Sequence, residues 1–244
     1  MPEACHVTTR CGTPPVNPVT FRDGGTNTLG EVFDVQRIVD AHAALVAHLE
    51  AMAGRPGAEA GAPSELPGWT RGHLLTHIAR NAESLQRLLE GAELGLSVYQ
   101  YPGGLQQRDG DIAAGADRPW GELVDDIRLT AAMFEAACVR HTRWDGAGVS
   151  GRGQPAPAAE VPFRRWREVL VHHTDLGDDG YTPEQWPAEY VREELERQTM
   201  TWNARTPMGT AGLPPEALAA PELTRLLWLM GRTDIDGLEP AGIF

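Results

Sequence analysis

The chain has 244 residues, enough for one large domain or for a medium domain with an appendage, either of which can bury a core. Its formal net charge of −13 opposes a phosphate-gripping surface, which needs clustered positive charge to replace counterions, so nucleic acid is not an expected partner. The apolar runs are far shorter than a membrane span and the opening MPEACHVTTR lacks a basic start and an apolar stretch, so no membrane is expected and the expected location is cytoplasmic.

Residues 1 to about 29 read as an irregular arm. Cys5, His6 and Cys11 lie close together in it, but Gly12, Pro14, Pro15, Gly24 and Gly25 make it a poor scaffold for metal ligands. With Cys138 as the third cysteine there is neither a CxxC pair nor an even set, which argues against a disulfide framework. A first helix is predicted from about Glu31 to Ala53, where Val32, Val35, Ile38, Val39, Leu45 and Leu49 recur at helical spacing. Gly54-Arg55-Pro56 stops it. After Leu66-Pro67-Gly68-Trp69, Thr70 is the predicted N-cap of a second helix reaching about Glu90.

From Gly91 to Asp117, Gly95, Pro102, Gly103, Gly104 and Gly110 break the pattern, and the stretch reads as a long connection rather than a core helix. A third helix is predicted from about Pro119 to His141 with Leu123, Ile127, Met133 and Phe134 inward, and a fourth from about Pro162 to Leu176, ended by Gly177. Beyond it come a helix from Pro187 to Asn203, a turn at Pro214-Pro215, and a short helix Glu222–Met230. No segment alternates convincingly, so the expected fold is all-α: a four-helix bundle over residues 30–180 with a short, mainly helical extension over 181–244.

Glu168 and His172 are four residues apart on the fourth helix, so their side chains stack on one face as two ligands of one metal must. With 34 acidic residues and eight histidines such a pair also arises by chance, as an ordinary surface pair. Context favours a site, because Val161, Val169 and Leu176 fall on the same side and a buried charge needs a partner. Asp175 falls beside His172 and either accepts from its free ring nitrogen or caps the helix end. The second helix offers His73 and His77. Its apolar arc centres on Leu74, Ile78, Leu85 and Leu89; His77 sits at the edge of the arc with Asn81, and His73 points away. A lone histidine at such an edge more often completes packing than binds metal. His173, about 100° from His172, is expected to pack outside any site.

The string Leu66-Pro67-Gly68-Trp69-Thr70-Arg71-Gly72-His73 followed by His77, with Arg167-Glu168 and His172-His173-Thr174-Asp175-Leu176-Gly177, resembles the mycothiol-dependent maleylpyruvate isomerases, part of a DinB-like group of metal-binding helical bundles. The resemblance spans roughly residues 31–180 and implies that His77, Glu168 and His172 hold zinc or another divalent ion. Tyr99 and the stretch Arg108-Asp109-Gly110-Asp111-Ile112 resemble the family's connection between its second and third helices; with Asn81, Tyr99 and Arg108 are the expected cofactor-binding residues. The family also places a functional arginine near its end. Arg232 matches that catalytic residue or closes a helix C-terminus.

Two histidines and one carboxylate leave one position of a tetrahedral Zn²⁺ open, the pattern of a catalytic site. The resemblance implies mycothiol as cofactor or cosubstrate, its thiolate attacking a small electrophile. Isomerase and S-transferase outcomes share these residues, and the different class is a non-catalytic metal-binding bundle. After Gly180 the chain is shorter than the family's strand-containing C-terminal domain, which favours the broader thiol-using description.

Overall fold

The computed structural model describes residues 33–56, 58–205 and 212–241, so the N-terminal arm with Cys5, His6 and Cys11 lies outside the described residues. The elements in chain order are α1 (Gln36–Met52), α2 (Arg71–Glu93), α3 (Gly104–Gly115), α4 (Trp120–Arg140), β1 (Ala147–Val149), β2 (Pro155–Pro157), α5 (Val161–Thr174), α6 (Ala188–Arg205), α7 (Pro215–Ala219) and α8 (Glu222–Leu229). Helix α1 packs on α4 and α5, and α2 packs on the same two, so the four long helices form a closed ring around one core. Helices α6 and α8 pack on each other. The fold is all-α, and no described helix is long and apolar enough to cross a membrane.

Local chemistry sets the ends of the two site helices. The Thr70 hydroxyl accepts from the His73 amide at 3.3 Å, and His73 Nδ1 reaches back to the Thr70 hydroxyl at 2.8 Å and amide at 3.4 Å. His73 thereby fills the place that Glu or Gln takes in an ordinary capping box. Just past the end of α5 the chain turns at Gly177, whose φ of +67° suits glycine. Buried Arg71, at the start of α2, donates from Nε to the Leu176 carbonyl at 2.7 Å and from Nη2 to the Gly177 carbonyl at 3.0 Å. That clasp satisfies two carbonyls of the turn just past the end of α5 and holds the start of α2 beside it. Gly72 is required for a different reason: a Cβ there would run into the Ala116 carbonyl, where the chain leaves α3.

The structure departs from the sequence reading at four places. The connection 91–117 contains helix α3, which buries Ile112 alone. A two-stranded antiparallel ribbon, with Gly148 opposite Ala156, lies between α4 and α5. Pro215 opens the short α7 rather than extending a turn. Met133 points outward at 44% exposure, because the buried line of α4 runs through Leu123, Ile127, Ala131, Phe134 and Cys138.

A buried polar network crosses the bundle. Fully buried Arg165 donates from Nε to His42 Nε2 at 3.0 Å and from Nη1 to the Ile78 carbonyl at 2.8 Å and Asn81 Oδ1 at 3.0 Å. Glu135 Oε1 holds the other ring nitrogen of His42 at 2.7 Å. Burial, aided by Arg165, pushes the His42 pKa down from 6.5 to about 4. Between those values the unfolded chain holds a proton that the folded chain lacks, so stability is full above pH 6.5 and falls as the pH drops toward 4. The expected loss is about 3 kcal/mol, read from urea unfolding at pH 7 and pH 4.5. His42→Gln keeps an acceptor for Arg165 and should flatten that pH slope; an unchanged slope would place its source elsewhere.

Candidate metal centre

Seven residues into α2, His77 faces the Glu168 and His172 pair presented by α5. His77 Nε2 lies 3.1 Å from Glu168 Oε2 and 3.2 Å from His172 Nε2, and those two atoms are 3.4 Å apart. A tetrahedron with bonds of about 2.0–2.1 Å has edges of roughly 3.3–3.4 Å, so this triangle has the size of one face of a four-coordinate zinc sphere. Among the described residues this is the one cluster of three or more such side chains able to hold a metal ion. The His77 side chain is 6% exposed, against 16% for His172 and 29% for Glu168, so Glu168 is the most exposed corner of the triangle.

Burial lowers the His77 pKa and outweighs the pull of Glu168, which keeps the imidazole neutral and able to ligate. Burial opposes ionisation of Glu168, but hydrogen bonds from His172 and His77 hold its carboxyl well below the usual range. For His172, burial is outweighed by Asp175 and Glu168, which push its pKa up to about 9. The carboxylate responsible lies behind the ring: His172 Nδ1 donates to Asp175 Oδ2 at 2.8 Å. Asp175 also stands at the C-cap of α5, so it fills both positions left open by the sequence.

The remaining expected site residues divide. Arg232 Nη2 donates to the same Asp175 Oδ2 at 2.7 Å, across 57 residues of sequence. Its direction is set by the end of α8, where the Arg232 amide donates to the Leu227 carbonyl at 2.8 Å and Gly231, at φ +68°, donates to the Trp228 carbonyl at 3.0 Å. This paired closure is a Schellman motif. Arg108 Nη2 lies 3.4 Å from His77 Nδ1, with its guanidinium 5.7 Å from the Trp69 ring. Asn81 is buried and engaged by Arg165. Tyr99 is 61% exposed, its backbone bridged to Val149 rather than drawn toward the trio. Sequence reading missed Tyr101, a partly buried ring against Gly151 whose pKa burial raises and whose electrostatic surroundings include Glu168 and Arg108. The Tyr-x-Tyr spacing was the available signal. His173 packs away from the trio, its ring stacked 3.7 Å from that of Tyr181 and its Nε2 2.8 Å from His48 Nδ1.

The family described as the mycothiol maleylpyruvate isomerase N-terminal domain matches residues 38–177, more than half of the chain. Among solved structures, a crystal structure of the mycothiol-dependent maleylpyruvate isomerase is 24% identical, with 82% of this chain and 88% of that chain covered at a TM-score of 0.69. A histidine-to-alanine mutant of that isomerase is 23% identical with the same coverage and TM-score. This likeness is one of fold, and at 82% of the chain it takes in residues beyond 38–177. No curated protein matches the sequence. The span of that family match, more than half of the chain and including the two helices that carry the trio, establishes that the chain belongs to the mycothiol maleylpyruvate isomerase N-terminal domain family.

Proposed function

We propose that the protein is a divalent-metal-dependent enzyme that uses mycothiol on a small acidic electrophile, in the manner of a maleylpyruvate isomerase. The observation that carries this reading is the triangle of His77, Glu168 and His172, sized for zinc and supplying three of the four positions of a tetrahedral ion. Its donor set, two imidazoles and one carboxylate, suits Zn²⁺ as well as other divalent ions. When bound, the ion would stabilise a coordinated thiolate at neutral pH.

The chain's own residues divide the remaining work. Asp175 fixes the His172 ring so that Nε2 faces the trio, and Arg232 holds Asp175. Arg232 is thus proposed as a positioning residue acting through Asp175. Trp69 sets the His77 ring from the side, with centroids 5.4 Å apart. Arg108, at the rim, supplies positive charge for an acidic ligand. Residues 30–180 are the proposed metal-binding part, and the cytoplasm, which would hold the low-molecular-weight thiol, is the proposed location.

The fold likeness, covering 88% of the isomerase chain, favours isomerisation over transfer. Incubating the metal-loaded protein with maleylpyruvate and a small amount of mycothiol should give fumarylpyruvate with the thiol conserved. Consumption of thiol in proportion to product would make the protein an S-transferase. No turnover with any small thiol would leave a metal-binding bundle.

A further inference from the structure

We propose that the outward face of α4 is a self-association surface, on which a second copy of this chain docks its own α4, antiparallel, about a two-fold axis between Ala132 and Met133. The trio stands on α2 and α5, so a partner on α4 leaves the metal ligands untouched.

Helix α4 packs on α2 and α1, and its buried line is spent on that packing. On the opposite side Leu129 is 61% exposed and Met133 44%, with Ala132 exposed and Ala136 half-buried among the described residues. At about 100° per residue these four fall within an arc of roughly 100°, an apolar stripe about two turns long with no charge inside it. Single exposed apolar side chains are ordinary, whereas a contiguous stripe of them marks a contact surface.

The order of residues along the stripe names the partner. Turned end for end about its midpoint, the stripe meets itself large against small: Leu129 faces the partner's Ala136, and Met133 faces the partner's Ala132. The same rotation sets Asp125, before the stripe, opposite the partner's Arg140, beyond it, and two-fold symmetry repeats that pair at the other end. Arg140 is exposed in the last turn of α4. Asp125 already accepts from Arg128, but its side chain is 75% exposed, so open a pair is weak, and a carboxylate has room for a second guanidinium. A parallel pairing would set Asp125 on Asp125 and Arg140 on Arg140, so charge selects the antiparallel one, and opposed helix dipoles favour it too. Alanine at 132 and 136 lets the two helix axes approach to about 8 Å, the close end of helix packing. One helix pair makes a small interface and each copy carries −13, so the association should be weak, with a dissociation constant in the micromolar range.

Sedimentation equilibrium of the full chain tests this, run in about 0.15 M salt to screen the net charge and over roughly 1 to 200 μM protein, a range that brackets so small an interface. Wild type should pass from monomer to dimer across that range. Met133→Glu, which sets two carboxylates beside the axis, should remain monomeric, and Asp125→Arg or Arg140→Asp alone should weaken the dimer by roughly ten-fold or more. Combining Asp125→Arg with Arg140→Asp restores opposite charges at both ends and should recover the dimer. All these side chains face solvent, so every variant should keep the helical circular dichroism of wild type. A wild type that stays monomeric throughout, a dimer that survives Met133→Glu, or a double variant no better than the single ones would overturn the proposal.

Discussion

The His77→Ala protein should lose its divalent ion, with apparent affinity reduced by more than the roughly 10- to 100-fold that loss of an outer-shell partner costs, while His73→Ala should keep about one ion per chain. The contrast follows from what the two histidines touch. His77 contributes one corner of the triangle, 3.1 Å from Glu168 and 3.2 Å from His172, and its loss leaves two ligands on one helix and nothing across from them. His73 is engaged with Thr70 at the start of α2, so its removal should cost about 0.5–1 kcal/mol of stability and no metal. Metal analysis of both proteins after identical dialysis decides the matter. Equal retention would remove His77 from the centre, and equal loss would mean that the start of α2, rather than a ligand, controls uptake.

The second large effect is expected behind the ligands. Asp175→Ala removes the acceptor that orients His172, and metal affinity should fall about 10- to 100-fold. Arg232→Met leaves the nearly buried Asp175 carboxylate without its guanidinium partner, and affinity should fall by about ten-fold, while Arg232→Lys, which keeps the charge, should lose less. A residue that touched substrate would behave differently: KM would rise in the Arg232 variants with metal affinity unchanged. That outcome would return Arg232 to a catalytic role and leave Asp175 as the sole support of His172.

The trio was legible because each member belongs to a long, strongly patterned helix. Glu168 and His172 share a face by their spacing of four, and Thr70 announces the start of α2 and so the register of His77. The apolar arc of α2 set His77 at its edge and His73 away from it, the family resemblance named His77, and the capping contact shows what His73 does instead. Helix α3 was hidden because glycines stand at both its ends and at Gly110 inside it, and only Ile112 is buried, leaving no apolar period to read. The ribbon strands, three residues each and containing Gly148, Pro155 and Pro157, are too short to show alternation. Met133 was misplaced by one step of about 100° from Phe134, a shift that carries a side chain from core to solvent. Arg232 and Asp175 meet across 57 residues through the closure of α8, and no local pattern encodes such a pairing.

The central claim is that this triangle holds an ion whose remaining position accepts a thiol. Its most direct measurement is the absorption spectrum of the cobalt-substituted protein, prepared without oxygen, as mycothiol is added. The account predicts a new sulfur-to-metal band that saturates at about one thiol per ion and is absent from His77→Ala. A cobalt spectrum unchanged by saturating mycothiol, with the ion still bound, would contradict it.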